Sequence, residues 1–443
     1  MDSMAGATSE PQVQVRFTTK LEARFRVTEA PIQLPTRLTR HGLSEVINHL
    51  LNAEKPVAFD FVTEDGSLLR GSLAKYLTIK SLSGESVVAL EYIELMAPPE
   101  EQSGAAHDDW VSAVASRSED AGGEAGEAVL LSGCYNNSAY VRDAAGVELA
   151  ELSGHTGAIK GVAWLPGEGG GAMRAVSASK DRTLRIWTVQ RGAAWSATCE
   201  AVCSGHTDSV EAVAASPAGD AFCSAGWDGT LKLWDASAAR IAAAPTGAAA
   251  AAEGAKPKRA KRAEGAASSL PTLEPTADLM GHSDCVSGVV WPTAALAYSC
   301  SWDGSLKEWD VPTAACSTTL HTSKAASCLD VSLLCGLIAS GHTDHVLRLW
   351  DVRCAPQSQH QLSLRHKGWV SAVAWSRHRS QLLLSSCHDG SVRLWDTRST
   401  VPLHELPPHA DKVLCVAWDG AERLVSGGAD GELRAMQLRL PAA

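Results

Sequence analysis

The 443-residue chain is 45% hydrophobic and 20% charged, which is enough material for packed cores in two or three units of ordinary size. Thirty-nine basic against 50 acidic residues leave a net charge of −11, which excludes a uniformly basic surface gripping nucleic acid; any such contact is local or made through partners. No apolar run reaches the roughly 18 residues of a bilayer span, and the segment from Met1 to Val15 lacks the basic-then-apolar order of a secretory leader. An intracellular protein with reduced cysteines is expected.

Residues 1–12 read as a disordered N-terminus. Val13, Val15 and Phe17 alternate, as do Phe25 and Val27, and predict a hairpin. Leu43, Val46, Ile47, Leu50 and Leu51 follow the 3.6-residue period and predict one short helix ending before Pro56. Val57, Phe59 and Phe61, then Val88, Leu90 and Tyr92, alternate as further strands. Strand, strand, helix and strands over residues 13–95 suggest a small α+β unit of ubiquitin-like (β-grasp) type. Residues 96–107, with Pro98, Pro99, Glu100 and Glu101, are expected to be a linker.

The rest of the chain is repetitive. Trp-Asp pairs occur at Trp234/Asp235, Trp309/Asp310, Trp350/Asp351 and Trp395/Asp396, and an Asp stands six residues before each of these tryptophans: Asp228, Asp303, Asp344 and Asp389. The register extends to Asp181 (with Trp187), Asp430 and Asn136, so there are seven units. A serine lies four residues before every anchor, among them Ser224, Ser299 and Ser385. A histidine lies 21 to 26 residues before every anchor but the first: His155, His206, His282, His321, His366 and His409. Alternating strands flank tight Asp-Gly turns such as Asp228-Gly229, so each unit is a small antiparallel sheet that cannot bury both faces alone. Over residues 108–440 the pattern resembles the WD-repeat family, which implies a mainly β, seven-bladed propeller. Arg142 and Met436 stand where the tryptophan is expected in the outer blades.

Recurring Ser, His and Asp invite comparison with a hydrolase triad, but seven parallel copies fit a scaffold better than one nucleophile. The resemblance implies a hydrogen-bonded chain in each blade, as in His206–Ser224–Asp228–Trp234, His282–Ser299–Asp303–Trp309 and His366–Ser385–Asp389–Trp395. Cys199, Cys203 and His206 lack a fourth zinc ligand, and Gly167–Gly171 lacks the Gly-Lys-Ser/Thr of a phosphate loop; no cofactor is expected. Residues immediately before the anchors (Tyr135, Lys180, Trp227, Trp302, Thr343, His388, Ala429) should sit at one mouth of the channel. Tyr135, Lys180, Trp227, Trp302 and His388, with Trp369, are candidate anchors for another protein. An Ala-, Gly- and Pro-rich insertion at about 236–277, between the third and fourth blades, is expected to be disordered. Its Lys256, Lys258, Arg259, Lys261 and Arg262 suit nuclear targeting, or a local RNA phosphate contact.

The segments 13–17, 42–51 and 57–61, with Leu68-Leu69-Arg70, Leu77-Thr78 and Leu90-Glu91-Tyr92, resemble the Notchless-type ubiquitin-like domain. Followed by a seven-blade propeller with a basic insertion, they make nearly the whole chain resemble the WD-repeat ribosome-biogenesis factors of the pescadillo complex. The resemblance implies a non-enzymatic assembly factor of the large (60S) subunit, acting in 28S and 5.8S precursor maturation in the nucleus, nucleolus and nucleoplasm. It also implies a propeller bound to the block-of-proliferation protein, which binds pescadillo, and a ubiquitin-like domain gripped by the ATPase midasin. The family motif falls on Glu85, whose carboxylate would complete a Mg²⁺ site in midasin. Two other readings stand beside this one. The first is the related Notchless factor, which usually has one more blade. The second is a substrate receptor of a cullin-RING ubiquitin ligase, suggested by the Trp-Asp-x-Arg of Trp350–Arg353 and Trp395–Arg398.

Overall fold

The computed structural model describes residues 11–21, 23–52, 56–82, 86–95, 98–117, 129–167, 172–192, 194–245, 270–354, 359–398, 400 and 402–439. Glu85 and the basic cluster from Lys256 to Arg262 lie outside the described residues. Two compact units change over at Pro98/Pro99.

In the first unit, strand β1 (Gln12–Thr18) pairs antiparallel with β2 (Ile32–Pro35) and parallel with β4 (Val87–Glu94), which pairs antiparallel with β3 (Phe59–Thr63). The order β2-β1-β4-β3 is that of a β-grasp, and helix α1 (Arg40–Leu51) closes its core, with Leu43 and Ile47 fully buried. Asn48 serves as a clasp: its amide nitrogen donates to the Val57 carbonyl at 2.6 Å and its oxygen accepts the Val57 N–H at 2.8 Å. Phe25 and Val27 do not form the expected strand. Residues Ala23–Phe25 are a 3-10 turn, and the second strand begins at Ile32. Their alternation has another cause: the Phe25 carbonyl and Val27 N–H both bind the Tyr92 hydroxyl, at 2.5 and 3.0 Å, and Phe25 packs edge-on against Phe59. Sequence reading also missed α2 (Leu73–Lys80), which buries only Leu73 and Leu77 and so has little apolar periodicity to show. Its start is capped by the Ser72 hydroxyl, which accepts the Lys75 N–H.

Among the described residues, the second unit contains seven sheets in radial order, here called blades 1 to 7, each built on antiparallel strands. Their innermost strands are Val111–Arg117, Ile159–Leu165, Val210–Ala215, Val286–Val290, Ala326–Val331, Val370–Trp375 and Val413–Asp419. Adjacent inner strands are stitched at one repeated position: the hydroxyls of Ser112, Ser287 and Ser371 donate to the Ile159, Ala326 and Val413 carbonyls of the next blade, at 2.5, 2.7 and 2.6 Å. Between blades 2 and 3 the same position carries an ion pair, Lys160–Glu211, at 3.3 Å.

The linker expectation is corrected here. Glu100–Ala106 is a strand, and it pairs with Glu432–Gln437 as the fourth strand of blade 7, closing the ring. The insertion is also placed differently. It falls inside blade 3, between Thr230–Asp235 and Ala277–Met280, and its ends are ordered as a helix over Ala238–Ala243 and a short strand, Thr272–Leu273, added to blade 2.

Each blade is locked by a buried polar chain. In blades 2, 3 and 4 a histidine (His155, His206, His282) meets an aspartate (Asp181, Asp228, Asp303) through Nδ1 at 2.8, 2.8 and 2.9 Å. Its Nε2 meets Ser177, Ser224 or Ser299 at 2.8, 2.7 and 2.7 Å. The same serine oxygens accept the indole N–H of Trp187, Trp234 and Trp309, each at 2.8 Å. With Nδ1–H donating to the carboxylate, Nε2 must accept, so the serine donates to histidine and accepts from tryptophan: a neutral imidazole satisfies every member. Blade 7 keeps His409, Ser426 and Asp430 without the tryptophan. In blade 6, His366 Nε2 lies 2.7 Å from Ser385, and Asp389 accepts the N–H and hydroxyl of Ser391.

Blades 1 and 5 reach the same end by other residues. His321, expected to serve blade 5, is exposed; instead His342, on the strand itself, lies 2.8 Å from Ser340, which accepts the Trp350 indole N–H at 2.7 Å. In blade 3 the equivalent position is Gly226, where a Cβ would come within 2.7 Å of the His206 ring. The glycine makes room for an imidazole from the loop, and in blade 5 that space is filled from the strand. Blade 1 uses His107, at 3.0 Å from Ser132, just beyond the closing strand.

Burial, with Arg142, Arg348 and Arg393 respectively adding to it, lowers the pKa of His107, His342 and His366 to about 4. These rings are neutral in the folded protein while the unfolded chain takes up protons near pH 6.5, so their contribution to stability is complete above pH 6.5 and lost as pH falls towards 4. The melting temperature should therefore decline across that window, and substituting His342 by Gln should flatten the decline. Ser224→Ala leaves two buried nitrogens without their shared partner and should cost about 3 kcal/mol in urea unfolding. The same change at the exposed Ser204 should stay within about 0.5 kcal/mol.

Candidate functional site

The residues before the anchors do gather at one mouth of the channel, and one repeated bond places them. In every blade the backbone N–H of that residue donates to the carbonyl of the residue just before the inner strand: Tyr135 to Trp110, Lys180 to Ala158, Trp227 to Ser209, Trp302 to Cys285, Thr343 to Ala325, His388 to Trp369 and Ala429 to Lys412. The distances run from 2.7 to 3.2 Å. Seven side-chain pairs thus ring the opening.

Most of the 14 tryptophans pack inside the blades, but Trp110, Trp227, Trp302 and Trp369 are exposed by 39–46%, and all four stand on this rim. Trp227 and Trp302 lie 5.5 Å apart between ring centres, Trp110 and Tyr135 5.2 Å, and Trp369 stacks on His388 at 5.6 Å. Burial and the neighbouring Lys412 lower the His388 pKa, so it meets Trp369 as a neutral ring. The Tyr135 ring carries two ammonium groups, Lys160 and Lys180, each 5.1 Å from its centre. Burial opposes the charge on Lys160, but Glu211 and the Tyr135 hydroxyl outweigh it and raise its pKa. Thr343 is half-buried and Ala429 buried, so blades 5 and 7 add no aromatic to the rim.

Trp110 was missed in the sequence. It stands three residues after His107, as Trp369 does after His366, but His107 fell in the expected linker. Rigid aromatic side chains held by backbone bonds stand half open to water here, the residue types that dominate binding energy at protein interfaces, and Asp109, Asp208, Asp284 and Asp411 add exposed carboxylates between them.

The repeated serines are unsuited to nucleophilic chemistry: Ser177, Ser224 and Ser299 are buried, and each hydroxyl is shared by a histidine and an indole. His409, Asp430 and Glu432 come close enough to suggest a metal, but Ser426 and Asp430 occupy both ring nitrogens and Glu432 binds Arg434 at 2.6 Å. His206 likewise has both nitrogens engaged, which removes it as a partner of Cys199 and Cys203. The arginines of the Trp-Asp-x-Arg pattern turn back on their own blades. Arg353 and Arg398 bind Asp351 and Asp396 at 2.8 and 2.6 Å, which accounts for the pattern structurally.

Comparison with known proteins agrees with this division. Residues 13–77 match the NLE (NUC135) domain, and five stretches between 146 and 435 match the WD domain, G-beta repeat. A ribosome biogenesis protein WDR12 homolog of Chlamydomonas reinhardtii is 39% identical over 96% of this chain and 97% of its own length. The homologs of Arabidopsis thaliana (36%; 96% of each chain) and Nematostella vectensis (35%; 95% of this chain, 98% of the relative) match equally broadly. The chain belongs to the WDR12 family of ribosome biogenesis proteins. The WD-repeat matches skip the inner three strands of blades 1 and 5, the two blades of this family member in which the histidine comes from another place.

The two kinds of tryptophan should separate in mutagenesis. Trp309→Ala, inside blade 4, should cost about 3–5 kcal/mol in chemical unfolding, whereas Trp302→Ala on the rim should cost about 1 kcal/mol or less.

Proposed function

We propose that this family member is a non-enzymatic scaffold in assembly of the large ribosomal subunit. It works within the pescadillo complex in the nucleolus and nucleoplasm and supports maturation of the 28S and 5.8S precursors. The observation that carries this reading is the union, over almost the full length of the relatives, of an NLE-type ubiquitin-like unit with a seven-blade propeller. Seven sheets rather than eight favour this over the Notchless factor.

The aromatic rim is the face offered to the propeller of the block-of-proliferation protein, with Trp227, Trp302 and the Trp369–His388 stack as anchors. Lys180 beside Tyr135 supplies a cation at its edge. Glu85 is the ligand that midasin's metal site takes when the ATPase pulls the factor off the preribosome. Lys256, Lys258, Arg259, Lys261 and Arg262 direct the chain to the nucleus.

Tagged wild-type protein from nuclear extract should co-sediment with pescadillo-complex subunits and large-subunit precursor RNA on a density gradient. Glu85→Ala should join the particles and accumulate on them, because release fails. Trp227→Ala with Trp302→Ala should lower affinity for the block-of-proliferation protein at least tenfold in a binding titration. Normal release of Glu85→Ala would remove the metal-ligand role, and recovery of a cullin adaptor without precursor RNA would replace the assembly reading with the ligase receptor.

A further inference from the structure

The face opposite the rim is formed by the loops joining the first and second strands of each blade, and its composition is uneven. In blades 3, 4 and 5 these loops read Ser-Pro-Ala-Gly-Asp (216–220), Trp-Pro-Thr-Ala-Ala (291–295) and Ser-Leu-Leu-Cys-Gly-Leu (332–337), with Asp220 the one charged residue. The loop of blade 6, Ser-Arg-His-Arg-Ser-Gln (376–381), carries two arginines. Leu333 and Leu334 are 67% and 53% exposed, on a tight turn whose closing bond runs from the Gly336 N–H to the Ser332 carbonyl. Large aliphatic side chains held in water at a rigid turn gain nothing for the isolated fold.

Between blades 3 and 4 the same face opens into a cavity of about 330 Å³, near the lower bound of ligand-sized pockets. Leu233, Trp291 and Val311 line it together with Pro217, Ala218 and Ala294. Trp291 shares its register with Trp164, Trp375 and Trp418, each following the same inner-strand valine or alanine pattern, and those three are buried to within 9% of full cover. Trp291 alone of the four stays partly open. Two carboxylates, Asp220 and Asp235, also line the cavity. Asp220 accepts the Ser216 hydroxyl and Asp235 the Ser237 N–H, and neither enters an ion pair among the described residues.

We propose that this cavity docks an extended segment of another protein, which places a bulky apolar side chain against Trp291 and a lysine or arginine against Asp220 and Asp235. The charge decides the class of occupant: two carboxylates outside any ion pair among the described residues, beside an apolar hollow, repel phosphate and reward a cation next to a hydrophobe. Leu333 and Leu334, one blade further on, extend the apolar track along which such a segment runs. The site lies on the face opposite the rim, so the propeller can hold two partners at once.

A random 12-residue peptide library displayed on phage, panned against the full-length protein after depletion on an Ala294→Arg variant, tests this. Ala294 is exposed at the cavity wall, so the arginine fills the mouth without entering the core. Retained clones should share an apolar residue within two positions of Lys or Arg. A fluorescein-labelled synthetic copy should bind wild type in a polarisation titration. Its affinity should fall at least tenfold with Ala294→Arg and with Asp220→Lys on the opposite wall, and stay unchanged with Trp302→Ala. Unaltered melting of the variants would show that the fold is intact. The proposal is overturned if no clone survives depletion, if retained peptides bind both cavity variants as well as wild type, or if binding is lost with Trp302→Ala.

Discussion

Closure of the ring is the constraint on which the rest of the propeller depends. A blade of four strands has two apolar faces, and each is buried only by the next blade, so a row of seven leaves two faces open unless its ends meet. They meet through Glu100–Ala106 against Glu432–Gln437, a pairing between strands more than 300 residues apart. Once closed, the ring repeats one geometry seven times, and the N–H to carbonyl bond that seats each rim residue can recur without adjustment. The aromatic mouth is therefore a product of the closure, not of any single loop.

Within that frame the polar chain in each blade tolerates exchange of its parts. What is kept is a neutral imidazole beside a serine hydroxyl, because burying either one without the other leaves an unpaired polar group. The imidazole arrives from the loop in blades 2, 3, 4, 6 and 7, from the strand in blade 5, and from beyond the closing strand in blade 1. Gly226 and His342 are two solutions to one packing problem, since the same small volume is either left empty for a visiting ring or filled by a resident one. The fold selects a hydrogen-bond pattern, and the sequence meets it from whichever position can reach.

That tolerance also explains which features could be read in advance. The anchors, the serines and the tryptophans recur at fixed spacing because they belong to one hairpin of one blade, and they led directly to seven sheets and to the rim. Glu100–Ala106 was illegible as a strand: Glu-Glu-Gln-Ser-Gly-Ala-Ala has no apolar alternation, being mostly exposed, and its partner is at the other end of the chain. With it went His107 and Trp110. His321 misled because its spacing fitted, while the two-residue separation of Ser340 and His342 fitted no repeat. The cavity between blades 3 and 4 had no signal at all, since residues from five separate stretches meet there.

The closing strand also sets the order in which the propeller can be completed. In a chain made from its N-terminus, Glu100–Ala106 emerges before every inner strand, and its partner Glu432–Gln437 follows more than 300 residues later. The seam of blade 7 is therefore among the last pairings that synthesis allows, and until it forms the first strand keeps an unpaired edge. The growing propeller is an open arc, and the rim becomes a continuous ring only when the two ends of the repeat region join.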